Sequence, residues 1–359
     1  MYKKIQTSKY IKILIIIMAL FLLFHTLMWS LYTSKIFGRV DGKYIGDLAR
    51  MGYQYDVISP RDIEYNLKTL HYNKSNWSKE KIDLITLGDS FSDAGAGGEN
   101  PYYQDYIASE HSINILNIQG IQTYGKFIET ITILINNGSL EKFQPKAILI
   151  ESVSRLALRR FNENIDFNMT NNTITLETQV QNKRESFFIP QLLPINTANY
   201  KGIKSNINIL FNKKPNKSVY SLKINTPLFS IQNNHTILVH NEDLTVISSI
   251  NEDSVRKLNN NFNELAKKLK ILNIKLIFMP VVDKYDLYYD YIVDNPHQRN
   301  NFFDLLRPMK KEYLFIDTKA ILLPYLEKGI KDIYYADDTH WSYKASEAIS
   351  KDSVFYDSL

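Results

Sequence analysis

Cysteine is absent from all 359 residues. That excludes disulfides, thiolate-ligated zinc and thiol catalysis, and leaves oxygen and nitrogen groups to carry any chemistry. It names no compartment, because bacterial envelope proteins often do without disulfides. Two nucleotide-binding glycine signatures, G-x-x-x-x-G-K-[ST] and G-x-G-x-x-G, are missing as well. There is no internal repeat and no low-complexity tract. Hydrophobic residues at 44% and charged residues at 23% exclude both a disordered chain and a polytopic membrane protein. The net charge of +5 is spread thinly over many lysines among abundant Asn, Ile and Tyr. This is the usage of an AT-rich genome rather than a basic surface, so no nucleic-acid partner is expected.

Formal charge is absent from Ile13 to Tyr32 (ILIIIMALFLLFHTLMWSLY), a run that would reach about 30 Å as a helix and so cross a bilayer. Lys3, Lys4, Lys9 and Lys12 precede it, and the positive-inside rule then keeps residues 1–12 in the cytoplasm and sends the rest across. A cleaved signal peptide is the competing reading, but the run is long for one and no A-x-A-like site follows. The expectation is a single-pass protein of the bacterial cytoplasmic (inner) membrane, anchored through 13–32, with its catalytic domain periplasmic or extracellular. His25 and Trp29 belong to this span, where an interfacial role suits them.

A polar connector covers 33–77. The run KIDLITL, Lys81 to Leu87, then breaks into Gly-Asp-Ser, as a buried strand feeding a turn does. Ile113 to Ile118 and Lys146 to Ile150 repeat the pattern, with a helical stretch over Lys126 to Asn136 between them. From 162 to about 249 the chain turns rich in Asn, Lys and Thr, with alternating stretches such as TITLETQV and HTILVH that predict a β-rich or irregular insertion. Alternation then resumes with a helix over Glu252 to Lys270, the strand KLIFMPVV, a helix near Asn300 to Lys311, the strand YLFID and a helix from Thr318 to about Leu326. The fold class is α/β: a three-layer domain over 78–355 with a mainly parallel sheet and one insertion.

Ligands of open parallel sheets bind beyond the carboxyl ends of the strands, where two chemically suggestive segments fall. One is GDSFSDAGAGG, which can be a plain glycine-rich turn or can expose the Ser90 hydroxyl to a cleft. The other is Ala336-Asp-Asp-Thr-His-Trp341. A serine needs a base to take its proton, and the base needs a carboxylate to fix its tautomer and stabilise its cation. His340 supplies the base, and either Asp338 or Asp337 the orienting carboxylate. His71, His111, His235, His240 and His297 lack adjacent carboxylates on such a loop. Arg155, after the third strand, either donates to an acyl or sugar oxygen or pairs with Glu151. Lys284, Tyr285 and Tyr288 follow KLIFMPVV and either rim the cleft to contact a carbohydrate or simply pack.

A GDS after the first strand and a D-T-H-W near the C-terminus together resemble the SGNH (GDSL-like) hydrolase superfamily. With Lys284 and Tyr285 in MPVVDKYDLYY, the chain looks more specifically like the membrane-anchored alginate O-acetyltransferase branch. The resemblance spans about Leu84 to Ser350 but is sharp only at these blocks. It implies an α/β/α flavodoxin-like sheet and a periplasmic enzyme that moves acetyl groups onto exopolysaccharide hydroxyls, with Ser90 as nucleophile, His340 as base and Asp338 as orienter. It also implies an oxyanion hole formed by the Ser90 and Gly120 backbone amides, Gly120 lying in NIQGIQTYGKF after the second strand. Where the superfamily has G-x-N-D, this chain has Glu151-Ser-Val-Ser-Arg155, a departure that the acetyltransferase branch resembles. The reading needs no metal or organic cofactor. Its partners would be a polysaccharide acceptor and a membrane-bound O-acyltransferase that passes the acetyl group across. The alternatives are an esterase or deacetylase of the same fold, a teichoic-acid D-alanylation factor, and a non-catalytic polysaccharide assembly protein.

Overall fold

The computed structural model describes residues 2–37, 45–61, 66–182, 192–211 and 213–358. Within it the apolar runs become strands: β1 (Leu84–Leu87), β2 (Ile115–Ile118), β3 (Ala147–Val153), β4 (Val219–Lys223), β5 (Thr236–His240), β6 (Lys275–Val281) and β7 (Leu314–Phe315). Five of them form one sheet in the order β2-β1-β3-β6-β7, every pair parallel. β1, β2 and β3 are buried at every position, which is why they read as continuous apolar runs and do not alternate. The chain steps from β1 outward to β2 and then back past β1 to β3, so the order reverses at β1. Loops leaving that point diverge and open a crevice. The loop carrying Ser90 leaves from there.

Parallel strands need crossovers, and helices supply them. Phe127–Asn136, Ser154–Phe161 and Glu252–Ile271 pack together as one group, while Tyr103–His111, Thr318–Glu327 and Tyr343–Ser350 form another. Glu252–Ile271 begins on an Asn251 and Ser254 capping box and buries Val255, Leu258, Phe262, Leu265 and Leu269 at helical spacing. Its Phe262 stacks on Phe278 of β6 with ring centroids 4.0 Å apart, and Phe161 meets both rings edge-on.

The structure sharpens three expectations. The stretch 162–249 holds among its described residues a single antiparallel pair, β4 with β5. Of the alternating segments only HTILVH becomes a strand; TITLETQV is diverted into a helical turn, Leu176–Gln179, because Thr175 and Thr178 cap each other reciprocally. The helix Ala198–Leu210 lies in the same stretch. The helix placed near 300–311 covers only Phe302–Leu306, since Pro308 has no N–H with which to continue the helical ladder. Within the polar connector 33–77, Ile45, Leu48, Ala49 and Val57 are buried in the main core, and Tyr72 bridges Leu116 in parallel at the β2 edge.

The N-terminal helix Tyr2–Met28 continues through a π-helical turn, Trp29–Thr33, into Ser34–Phe37. Over Ser8–Phe37 it is long and apolar enough to cross a membrane, and Leu14, Leu20 and Leu23 stand exposed along it.

Phe278→Ala removes the ring that joins β6 to both Phe262 and Phe161. It should destabilise the fold by about 3–5 kcal/mol, measured by denaturant unfolding of the purified protein.

Candidate active site

Beyond Leu87 the chain turns sharply. Ser92 N–H donates to the Asp89 carbonyl at 3.0 Å and Gly95 N–H to the Ser90 carbonyl at 2.7 Å, coiling residues 89–95 into a tight loop. Half-buried Ser90 projects from it, its Oγ 2.7 Å from His340 Nε2. On the other side of the ring, His340 Nδ1 lies 2.6 Å from Asp338 Oδ1, which also accepts the His340 backbone N–H at 3.0 Å. Hydroxyl, imidazole and carboxylate thus form one hydrogen-bonded line, with Nδ1–H facing the carboxylate and Nε2 free to accept from the serine. Phe91 packs on the imidazole at 4.6 Å. Gly95 closes the opposite side so tightly that a Cβ there would fall 2.2 Å from His340 Nε2.

The choice between the two aspartates falls to Asp338. Asp337 turns away and takes both Arg61 nitrogens, Nη1 at 3.0 Å and Nη2 at 2.9 Å, together with the Gly46 N–H at 2.8 Å. Arg61 also reaches Asp338 Oδ2 at 3.1 Å, and its guanidinium lies over the Tyr335 ring. Burial pushes the Asp338 carboxyl up, but His340 and Arg61 beside it outweigh burial and hold it below the usual range. Asp47 accepts from Thr339 N–H at 2.8 Å and Thr339 Oγ1 at 2.6 Å, bracing the turn between Asp338 and His340. Burial, and then Asp338, push the Asp47 carboxyl up. The ligand atoms of Asp47, Asp338 and His340 lie within 4.8 Å of one another, a spacing that would suit a metal. Their oxygens, however, are already engaged by Thr339, His340 and the Arg61 cation, so the cluster is satisfied as a hydrogen-bond network.

Arg61 and Asp47 were not singled out in the sequence. Both lie in the segment read as a connector, more than 270 positions from their partners, and no local spacing marks them.

Behind Ser90 lies a second buried layer. Asp89 Oδ2 accepts from Arg160 Nη1 at 2.5 Å and from Val153 N–H at 3.0 Å. Burial raises the Asp89 carboxyl, but Arg160 and these donors bring it below its ordinary value. Glu151 Oε2 accepts the Asp89 N–H at 3.0 Å and Ser92 Oγ at 2.8 Å. Burial, with Asp89 beside it, pushes the Glu151 carboxyl well up.

Four residues open between substrate contact and internal pairing or packing turn inward. Arg155 pairs neither with Glu151 nor outward: its Nη1 bridges Asp243 and Asp283, 3.2 Å from each. Lys284 is fully buried and gives its ammonium to the carbonyls of Tyr335 at 2.7 Å, Ala336 at 2.8 Å and Asp338 at 3.1 Å. Burial lowers it to about 8. With all three donors engaged, it pins the His340 loop from within. Tyr285 is buried, its hydroxyl donating to the Gln298 carbonyl at 3.0 Å. Tyr288 is buried against Phe229 and accepts the Tyr334 N–H. Gly120 stands just past β2, on the strand beside β1, where a Cβ would fall 2.3 Å from the Gly125 carbonyl.

Neither a known family model nor any curated protein matches this chain. The geometry itself says what the site can do: a polarised serine, a base with a fixed tautomer, and a buried carboxylate to hold the resulting imidazolium.

Glu151→Gln tests the buried layer. A carboxyl whose folded value is raised stabilises the fold at low pH, and this contribution is lost as pH climbs through the folded value. The substitution would remove that decline while keeping an acceptor for Asp89 N–H. At low pH, where the wild-type carboxyl is neutral in both states, stability should stay within about 1 kcal/mol of wild type, and the variant should gain on wild type as pH rises. The slope of unfolding free energy between about pH 5 and pH 8 should flatten, as read from denaturant titrations across that range.

Proposed function

We propose that this protein is a serine-dependent O-acyltransferase of SGNH type, transferring acetyl groups to hydroxyls of a cell-envelope or extracellular polysaccharide. The observation that carries the reading is the unbroken line from Ser90 Oγ through His340 to Asp338, at 2.7 Å and 2.6 Å. In the first half-reaction Ser90 Oγ attacks the acyl carbonyl as its proton passes to His340 Nε2. The tetrahedral oxyanion is held by the Ser90 backbone N–H and, on the analogy with the superfamily, by that of Gly120. Collapse expels the donor's leaving group, which takes the proton from His340, and leaves acyl-Ser90. In the second half a sugar hydroxyl gives its proton to His340 and attacks the ester, releasing acetylated sugar and restoring Ser90.

Asp338 holds the Nδ1–H tautomer throughout and stays ionised, which its lowered proton affinity permits. Lys284, Arg61 and Asp47 act through the His340 loop and touch no substrate. The acetyl donor would come from a membrane-bound O-acyltransferase, and the N-terminal helix would keep the enzyme in the bilayer beside it, with the catalytic domain outside the cytoplasm.

Full-length protein in detergent, given an acetyl ester and a panel of oligosaccharides, tests this directly. Ser90→Ala and His340→Ala should each lower both acetate release and sugar acetylation by on the order of 10⁴-fold. Acetate release without acetylated sugar would replace transfer by hydrolysis, and unchanged turnover in both variants would remove the assignment. Gly95→Ala, which forces the imidazole off its line, should cost on the order of 10²-fold in turnover with an unchanged circular dichroism spectrum.

A further inference from the structure

Helix Ala198–Leu210 runs lengthwise along the end of the apolar N-terminal helix. His25 Nδ1 meets Asn199 Nδ2 at 2.8 Å, His25 Nε2 meets Tyr200 Oη at 3.1 Å, and Phe24 stacks on Tyr200 at 4.9 Å. Further on, Asn206 Nδ2 donates to Tyr32 Oη at 2.6 Å. The contacts advance from 25 to 32 on one helix and from 199 to 206 on the other, so the two run side by side in the same direction over about 10 Å.

The outward side of this element carries large apolar residues together with exposed Lys201 and Lys204. Leu193 is 76% exposed, Ile195 51%, Tyr200 49% and Ile207 49%, and Leu210 and Phe211 follow at its end. Large apolar residues exposed this densely on a soluble surface mark an interaction site. If the charge-free run ending at Tyr32 spans the bilayer, Tyr32 marks its far edge and Asn199 lies about 10 Å beneath it. Leu193 and Ile195 belong to that deeper level, because Asn199 Nδ2 also donates to the Pro194 carbonyl at 2.8 Å. Ile207 then falls at the edge, Leu210 and Phe211 among the headgroups, and Lys213 and Lys214 beyond them at the phosphates.

We infer that residues 192–211 form a second membrane-embedded element, sunk beside the anchor in the far half of the same bilayer with lipid acyl chains as its partner. Apolar Leu193 and Ile195 lie deepest, and Phe211, Lys213 and Lys214 come last, as the polarity profile of that half-bilayer requires. Lys201 and Lys204 reach the headgroups along their stems. His25, otherwise out of place in an apolar helix, is satisfied by Asn199, as polar groups inside a membrane must be. The consequence concerns the active site. Tyr32 Oη donates to the Tyr53 carbonyl, and the helix Asp47–Gly52 leads from there to the Thr339 turn. One short helix therefore connects the membrane edge to the His340 loop. The inference rests on the N-terminal helix being a membrane span, and the test separates the two claims.

Since the chain has no cysteine, L193C, L20C and Y356C each give a unique labelling site. The full-length variants, carrying an environment-sensitive fluorophore, are placed in liposomes of phosphatidylethanolamine and phosphatidylglycerol containing lipids nitroxide-labelled on the acyl chain. The label at Leu193 should shift to the blue and lose most of its emission to the nitroxide, as should that at Leu20, while that at Tyr356 stays unquenched. A quenched Leu20 label with an unquenched Leu193 label overturns the embedded element and leaves the anchor standing. Unquenched labels at both positions overturn both. Protection of Leu193 only when another membrane protein is added assigns the face to that protein and likewise overturns the inference.

Discussion

The Asp338 carboxylate is the group on which the site depends. It is fully buried, where an isolated charge is prohibitively costly, and it stays ionised because His340 occupies one oxygen and Arg61 the other. Those two contacts tie distant parts of the chain together. Arg61, from the segment following the anchor, clamps Asp337 and Asp338 near the C-terminus, and Asp47 from the same segment fixes Thr339 between Asp338 and His340. Removing Arg61 would leave two buried carboxylates uncompensated, and the His340 loop would lose its outer wall. The network both closes the domain around its N-terminal segment and orients the His340 imidazole toward Ser90.

A second constraint is how the polar end of β3 is accommodated. Glu151 enters a strand that is buried at every position, and a charged glutamate there would face Asp89 across a hydrogen bond. Burial and Asp89 favour the protonated form of Glu151 while Arg160 favours the ionised form of Asp89, and the pair's hydrogen bonds stiffen the turn that presents Ser90. Arg155, Asp243 and Asp283 form a separate buried cluster further along. Where relatives of the resembled superfamily place an Asn side chain toward the oxyanion, this chain has side chains committed to internal pairs, which leaves backbone amides as the donors in the proposed mechanism.

Much of this was legible in the sequence, for identifiable reasons. The strands β1, β3 and β6 are apolar runs broken by turn residues, and the Ser90 loop follows the abrupt end of β1, whereas the His340 loop follows the helix Thr318–Glu327 and is marked only by its D-D-T-H-W residues. Asp338 rather than Asp337 was left open by the residues themselves, because both can reach the imidazole; the choice is made by Arg61, whose position no local pattern betrays. Lys284 and Tyr285 look like cleft residues because they follow a strand. Their burial comes from the residue 331–338 loop and the Asn295 to Gln298 segment folding over them, which are long-range events. The Thr-rich alternation at 173–180 mimics a strand while its threonines cap a helical turn. The contact of His25 with Asn199 and Tyr200 depends on where the N-terminal helix lies against the domain, which periodicity does not encode.

The most direct test of the central claim is to look for the acyl-enzyme. Full-length protein mixed with an activated acetyl ester, quenched in acid within a turnover and mapped by peptide mass spectrometry, should carry one acetyl group on Ser90. Asp338→Asn should accumulate it far more slowly, because the imidazole loses its fixed tautomer. An acetyl group found on another residue, or turnover of the ester with none on Ser90, would contradict the account.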